Sequence, residues 1–208
     1  MRNIDLEAEI EFENRRAKGG DMRRNQNKYY WATNIPINKH NLDTFQKIKN
    51  KKILEIGCAS GNDAIAYTNY ASFYCGIDIS DEAIKNAKNL NLKNAEFLCV
   101  DGHKIPKEDQ NFDCVVVNSL LHHLDLYKSF KEIYRVLKTD GYLIFREPLG
   151  INPFFQLYRY FTPSARTPDE RPFTSRDLTL MKKFFDLKEV QWFGFFSIFS
   201  AFLRINKI

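Results

Sequence analysis

The chain has 208 residues, which is enough for one domain with a substantial buried core. Its hydrophobic fraction of 44% and charged fraction of 27% exclude a disordered or fibrous protein. The net charge of +5 is too mild to select an anionic substrate, a nucleic acid or a membrane surface as partner.

The cysteines indicate the redox environment. They are widely spaced and form no C-x-x-C pair, which argues against a disulfide framework or a zinc site. Cys75, Cys99 and Cys114 lie in apolar runs, where we expect buried, reduced thiols. Reduced thiols and an acidic, polar N-terminus favour a cytoplasmic location. No His, Cys or carboxylate grouping has metal-ligand spacing, so we expect no metal.

Strands and helices alternate along the chain after a polar first segment. Residues 1–50 are predicted to form a helical or lid segment, and residues 51–208 the main domain, with an insertion at about 148–176. The alternation predicts a parallel sheet between two layers of helices. The predicted strands are Ile53–Ile56, Phe73–Ile79, Ala95–Val100, Phe112–Val117 and Tyr142–Arg146, with two more around Leu187–Phe193 and Ala201–Asn206. The predicted helices are Asp63–Tyr70, Leu126–Leu137, one near Ser175–Phe185, and one that is capped by Ser80 and runs to about Asn89. A turn at Thr139–Gly141 precedes the fifth strand.

The first strand ends in a glycine-containing turn, Glu55–Gly61, at the sheet edge where open parallel sheets bind ligands. The dinucleotide fingerprint G-x-G-x-x-G would need glycines at Ala59 and Asn62. Glu55 at the strand tip would repel a pyrophosphate but favour a ligand with an ammonium and a sulfonium. S-adenosylmethionine (SAM) carries both groups.

Two further acidic residues end strands at the same edge. Asp78 lies about 20 residues beyond the glycine turn, the spacing expected for a carboxylate that binds ribose hydroxyls. Asp101 follows the third strand, where its side chain could accept a hydrogen bond from an adenine amino group.

Several stretches together resemble the class I SAM-dependent methyltransferases, specifically the small-molecule group that includes the ubiquinone and menaquinone enzymes. The family's usual turn has a third glycine where this chain has Ala59. The stretches are Ile53–Gly61, Gly76–Ser80, Val100–Gly102, Phe112–Leu124 and Glu132–Gly141.

The resemblance implies a Rossmann-like three-layer α/β/α fold, with a mostly parallel seven-stranded sheet and an antiparallel closing strand. It implies SAM as the cofactor, S-adenosylhomocysteine (SAH) as its product, and a small-molecule acceptor methylated at O, N or C. Glu55 would lie near the methionine ammonium, Asp78 at the ribose and Asp101 at the adenine. The full set of implied cofactor contacts is Glu55, Gly57, Cys58, Ala59, Gly61, Asp78, Ile79, Asp101, Gly102 and Asn118.

The candidate catalytic residues are His122, His123 and Glu147, all at the ligand-binding edge. An alcohol or phenol acceptor needs a base, and either histidine could serve. Because adjacent residues do not share a helix face, at most one should point into the site. The alternative is structural: one ring packs below the cofactor and the other bonds backbone, while Glu147 supports the following turn.

The candidate acceptor contacts lie in two segments. Tyr30, within the aromatic cluster Tyr29–Trp31, either covers the cofactor or packs in an ordinary cluster. Tyr158, Arg159 and Arg166, in the insertion, suit an anionic or aromatic acceptor, although a cap held by Arg–carboxylate pairs has the same composition.

Three other functions remain open. Nucleic-acid or protein methyltransferases that act on planar amino groups usually carry an Asn- or Asp-Pro-Pro-aromatic turn where this chain has Asn118–Leu121, and the basic residues are scattered, so we do not expect nucleic acid as a partner. The others are a non-catalytic SAM-binding module and a nicotinamide oxidoreductase. The aromatic run Trp192–Leu203 is predicted to supply the closing strands, or else an apolar lip for a lipid-like acceptor or peripheral membrane contact.

Overall fold

The computed structural model of the protein describes residues 5–19, 41, 43–148, 150, 156, 160–161 and 171–191. The described part contains a five-stranded sheet in which every neighbouring pair is parallel. The strands are β1 (Lys52–Ile56), β2 (Phe73–Asp78), β3 (Ala95–Cys99), β4 (Phe112–Asn118) and β5 (Leu137–Arg146). Their order across the sheet is β3-β2-β1-β4-β5, which confirms the predicted parallel sheet.

The helices begin at residues that satisfy their first free N–H groups. Asp5 caps the first helix through Ala8, Ser80 caps the third through Ala83 as predicted, and Asp125 accepts from two amides at the start of the fourth. The helices whose bounds the structure describes are α1 (Leu6–Ala17), α2 (Ala64–Tyr67), α3 (Asp81–Lys88), α4 (Leu126–Val136) and α5 (Ser175–Met181), with a 3₁₀ turn at Leu121–His123 between β4 and α4.

Helices cover both faces of the sheet, so the core has two halves. Leu54 and Ile56 of β1 face α4 and α5, whereas Ile53 faces α2 and α3. Because successive strand residues point to opposite faces, Glu55 shares the side of Ile53. On the other side α4 buries Leu126, Phe130, Ile133 and Val136, and each side chain of this kind contributes about 1.5–3 kcal/mol when fully buried.

Some boundaries differ from the predictions. The second helix is short, Ala64–Tyr67, and β5 begins at Leu137 rather than Tyr142. The predicted turn at Thr139–Gly141 therefore lies within β5. It is accommodated by a register shift, since Phe112 pairs with Leu137 but Cys114 pairs with Tyr142.

The closing strands are not part of the described sheet. Residues 187–191 form no strand, and the rest of the predicted pair, with the aromatic run Trp192–Leu203, lies outside the described residues. All four cysteines are free thiols, but Cys99 is exposed rather than buried because it ends an edge strand. Among the described helices, none is both long and apolar enough to cross a membrane.

Candidate active site

The strand order reverses direction at β1. From β1 the chain builds outward to β2 and β3 on one side, and then to β4 and β5 on the other. Parallel sheets bind ligands at such a switch point, beyond the carboxyl ends of the strands. The residues that follow Ile56, Asp78, Asn118 and Arg146 therefore surround the candidate site.

Glu55 is a buried carboxyl group near the tip of β1. It is 2% exposed, and the hydroxyl of Tyr74 donates a hydrogen bond to its Oε2 at 2.5 Å. Burial, helped by the nearby charge of Asp63, raises the pKa of Glu55 to about 8, although hydrogen bonds from Tyr74 and Asn118 oppose the rise. Glu55 is therefore mostly protonated at neutral pH, and a cation placed beside it would favour its ionised form.

The turn after β1 brings its backbone close to β2. Gly57 and Gly61 both have φ +78°, and Ala59 has φ +45°. The N–H groups of Gly57 and Cys58 both donate to the carbonyl of Ile77, at 2.8 and 3.0 Å. Ala59 thus occupies a left-handed conformation that a glycine adopts without strain and an alanine adopts only at a cost in backbone strain.

Asp78 is held from both sides at the tip of β2. Its Oδ2 accepts the N–H of Ala59 and its Oδ1 accepts the N–H of Ser80, each at 2.9 Å. Burial raises the pKa of Asp78, while these backbone hydrogen bonds and the charge of Arg16 lower it. The next residue, Ile79, accepts the thiol hydrogen of Cys99 through its carbonyl.

Asp101 forms a pair with His103. Its Oδ1 accepts the N–H of His103 at 2.9 Å and lies 2.7 Å from the ring Nδ1. The ring Nε2 accepts the N–H of Asp125, so Nδ1 carries the proton. His103 therefore ties Asp101 to the start of α4, and hydrogen bonding from His103 lowers the pKa of Asp101. Gly102 packs beneath, since a Cβ there would lie 3.0 Å from Ile56.

Asn118, at the end of β4, turns its amide toward α2. Its Nδ2 donates to the hydroxyl of Tyr67 at 3.1 Å and lies 3.4 Å from Oδ2 of Asp63. The side-chain amide of Asn118 thus bonds within the protein, and its contact with a cofactor through backbone or side chain stays a prediction.

His122 and Glu147 form a buried pair. Nδ1 of His122 lies 2.7 Å from Oε2 of Glu147, and the Glu147 side chain is only 1% exposed. Oε1 of Glu147 accepts the N–H groups of Leu120 and Leu121, at 2.9 and 2.7 Å. Burial raises the pKa of Glu147 to about 8, against the lowering effect of these hydrogen bonds. The contacts of Glu147 fix the 3₁₀ turn and orient His122.

His123 pairs with α1. Its Nδ1 lies 2.9 Å from Oε1 of Glu9, and both residues are buried. The rings of His122 and His123 are 4.2 Å apart. Both histidines therefore belong to one buried cluster, in which each imidazole meets a carboxyl group from a distant segment.

Helix α1 crosses the carboxyl end of the sheet. Glu9 contacts the turn after β4, while Oδ1 of Asn14 accepts the hydroxyl of Ser80, after β2, at 2.6 Å. Along a helix these two residues are about 7.5 Å apart, and β2 and β4 are separated by two strand spacings of about 4.8 Å each. Helix α1 thus extends from the residues after β2 to the turn after β4.

Comparison with known proteins shows which family the central part of the chain matches. Residues 54–145 match the family model described as a methyltransferase domain. By this match, the segment 54–145 is a methyltransferase domain. Glu9 and Glu147, which hold the two histidines, lie outside the matched segment.

Individual relatives resemble the methyltransferase domain over part of their length. The chain is 30% identical to phthiotriol/phenolphthiotriol dimycocerosates methyltransferase 1 of Mycobacterium ulcerans over 52% of this chain and 41% of the relative. It is also 30% identical to ubiquinone biosynthesis O-methyltransferase of Coxiella burnetii, over 54% of this chain and 49% of the relative. The chain thus spans less than half the length of these curated relatives. The crystal structure of the YcgJ protein from Bacillus subtilis has the same fold, with a TM-score of 0.60 at 20% identity, over 70% of this chain and 67% of that one.

The predicted acceptor contacts, Tyr30, Tyr158, Arg159 and Arg166, lie outside the described residues. Within the insertion, Arg171 forms a two-pronged pair with Asp177, with both N–O distances 2.6 Å. For this residue the structure favours the interpretation of a cap held by Arg–carboxylate pairs.

The sequence prediction missed Tyr74 and Glu9. Tyr74 looked like one more apolar strand residue, but it lies on the same face as Glu55, and Gly76 between them leaves room for its ring. A Cβ at Gly76 would lie 2.9 Å from the Tyr74 hydroxyl. A tyrosine and a glycine on one strand face beside an acidic strand tip are the signal that could have identified this contact.

Proposed function

We propose that the protein is a SAM-dependent methyltransferase that acts on a small-molecule acceptor. The observation that carries the proposal is the pair of carboxyl groups, Glu55 and Asp78, on either side of the turn at the switch point of the sheet. The match of residues 54–145 to the methyltransferase family supports it.

The residues present fit the chemistry of SAM. Glu55 is buried without a cationic partner among its described hydrogen bonds, and its raised pKa shows the cost of ionising it there. The ammonium of the methionine part would replace that proton with a favourable charge pair. Asp78 keeps acceptor capacity beyond its two backbone hydrogen bonds, because an ionised carboxylate has about four lone-pair sites for ribose hydroxyls.

SAM would supply a methyl group that its sulfonium already activates. The protein then has to align the acceptor atom with that methyl group and keep water out. Helix α1, which lies across the tip of β1 and is tied at Glu9 and Asn14, would exclude water from above. The turn at Gly57–Gly61 would position the methionine part from below.

An acceptor hydroxyl would lose its proton to His122. Glu147 engages Nδ1 of this ring, so the proton would be taken at Nε2. Glu147 acts through His122 and is a positioning residue. The neighbouring His123, which contacts Glu9 of α1, would connect α1 to the buried cluster of His122 and Glu147.

The acceptor class we propose is a lipid-like or quinone-related molecule methylated on oxygen. The support comes from the names of the relatives, a phthiotriol/phenolphthiotriol dimycocerosates methyltransferase and a ubiquinone biosynthesis O-methyltransferase. A largely apolar acceptor also agrees with a site that holds its titratable groups buried.

Titration calorimetry with SAM, SAH, NAD and FAD tests the cofactor. We expect binding of SAM and SAH only, and binding of NAD without SAM would contradict the proposal. A second assay would offer catechols, quinols and fatty acids with methyl-labelled SAM. Binding of SAM without transfer to any acceptor would favour a non-catalytic SAM-binding module instead.

A further inference from the structure

Arg146 is the last residue of β5 and points toward the candidate site. It pairs in register with Asn118 of β4, so the two side chains lie on the same face of the parallel sheet. Its positive charge lowers the pKa of Glu55 and of Tyr67 on that face. Arg146 thus places a guanidinium close to the buried carboxyl group at the tip of β1.

The guanidinium of Arg146 lacks carboxylate partners of the kind that Arg135 and Arg171 have. Its Nη1 is buried and, within the described residues, donates no hydrogen bond. By contrast, Arg135 bonds Glu132 and Asp109, and Arg171 forms a two-pronged pair with Asp177. Buried donors in native proteins almost always have a hydrogen-bond acceptor, so we expect a bound ligand to supply the acceptor for this N–H.

The neighbouring acidic groups are already engaged. Glu55 accepts from Tyr74, Asp63 lies beside the amide of Asn118, and Glu147 accepts from the 3₁₀ turn and contacts His122. Burial also keeps Glu55 and Glu147 mostly protonated at neutral pH, since each has a pKa of about 8. Neither group therefore provides a full negative charge to balance Arg146.

We propose that Arg146 binds a carboxylate of a ligand in the candidate site. A guanidinium presents parallel N–H groups that match the two oxygens of a carboxylate. This proposal rests on the proposed function and specifies that one of its ligands carries a carboxylate group. The carboxylate has two sources: the methionine part of SAM, or an acceptor that carries an acid group.

The test compares wild type, Arg146→Gln, Arg146→Lys and the exposed-arginine control Arg176→Gln by titration calorimetry. The probes are SAH, 5′-methylthioadenosine (which lacks the amino-acid part), octanoate, and octanol as its uncharged counterpart. Octanoate and octanol are titrated both with and without saturating SAH.

We expect Arg146→Gln to weaken the binding of one carboxylate-bearing probe, SAH or octanoate, at least tenfold. Arg146→Lys should have an intermediate affinity for that probe, and Arg176→Gln should bind it like wild type. Weaker SAH binding with unchanged 5′-methylthioadenosine assigns the methionine carboxylate. Weaker octanoate binding with unchanged SAH and octanol assigns an acceptor acid. The proposal is overturned if Arg146→Gln binds both carboxylates like wild type, if wild type binds neither, or if the uncharged probes weaken equally.

Two further measurements distinguish a failure of the proposal for Arg146 from a failure of the proposed function. Wild type that binds no SAH contradicts the proposed function, while the octanoate titration without SAH still tests Arg146 alone. Because Arg146 has no described hydrogen-bonding partner at Nη1, Arg146→Met should leave the melting temperature unchanged or higher, whereas Arg135→Met should lower it. A lower melting temperature for Arg146→Met would show that its partner lies within the protein and would overturn the proposal.

Discussion

The backbone N–H of Ala59 donates a hydrogen bond to the carboxylate of Asp78 at 2.9 Å and so joins the turn after β1 to the tip of β2. The other carboxylate oxygen accepts the N–H of Ser80, which begins α3. Asp78 therefore orients the turn and the helix start at the same time as it presents its remaining lone pairs to a ligand.

Asp78→Asn should weaken SAH binding at least tenfold, because the amide loses the charged acceptor for ribose hydroxyls, worth about 1–3 kcal/mol. Isothermal titration of the folded variant measures this loss. Asp81→Asn, an exposed acid in the first turn of α3, is the matched control and should bind like wild type. Equal affinity of wild type and Asp78→Asn would place Asp78 outside the ligand contacts.

Glu55→Gln should change how stability depends on pH. The folded pKa of Glu55, about 8, lies above its value of 4.5 in the unfolded chain. Between these values the unfolded chain is ionised while the folded protein keeps its proton, so the free energy of unfolding falls as pH rises from 4.5 to 8. The variant should lack this component and become more stable than wild type at pH 8, by about 2 kcal/mol or more.

Chemical denaturation at pH 5 and pH 8 measures this difference, and parallel pH profiles for the two proteins would contradict it. In the same variant SAH binding should weaken, because the neutral amide cannot pair with the ammonium. In wild type the affinity for SAH should rise between pH 6 and pH 8, since binding displaces the proton of Glu55.

Gly57→Ala should destabilise the protein more than Gly19→Ala. Both glycines have positive φ, +78° and +94°, so an alanine is strained at either position. Only at Gly57 would the new Cβ also meet a neighbour, Leu120 Cδ2 at 2.8 Å. We expect a loss of about 1–3 kcal/mol at Gly57, partly recovered in Gly57→Ala/Leu120→Ala. Thermal unfolding of the variants, with Leu120→Ala as reference, decides whether close approach or backbone strain dominates.

Glu147→Gln should lower turnover while SAH affinity stays nearly unchanged. The amide would donate to Nδ1 of His122, which leaves the proton on Nε2 and removes the base; losses of about 10²-fold or more are typical of general bases. In wild type, turnover should rise with pH through about 8 as the Glu147–His122 pair loses its proton.

The tautomer of the His122 ring distinguishes a positioning role of Glu147 from a merely structural one, because a structural role would leave the tautomer unchanged. Nitrogen NMR at pH 9 should show Nδ1-protonated His122 in wild type and the Nε2-protonated ring in Glu147→Gln. Glu132→Gln is the control, since Glu132 also accepts a backbone N–H, from Ile105, but lies away from the histidines. A variant with full turnover, or with turnover and SAH affinity lost in parallel, would contradict the role of Glu147.

The sequence predicted the parts of this protein that depend on local pattern. The apolar runs identified all five strands of the described sheet, and Ser80 followed by Asp81 and Glu82 identified the start of α3. The order of acidic strand tips pointed to the ligand-binding edge because parallel strands bring their carboxyl ends to one side.

Contacts between distant segments could not be predicted in this way. Nothing local to His123 indicates that its partner is Glu9, because the two residues meet only when α1 packs across the finished sheet. Glu147 was a candidate for direct contact with the acceptor, yet its carboxyl points back into the 3₁₀ turn. Spacing along the chain shows that a residue reaches an edge, whereas the direction of its side chain depends on tertiary packing.

The position of α1 links the two halves of the site in time as well as in space. A single short helix contacts the Ser80 side, where a cofactor would bind, and the His123 side, where an acceptor would react. Motion of α1 away from either contact would therefore expose the cofactor side and the acceptor side of the site together.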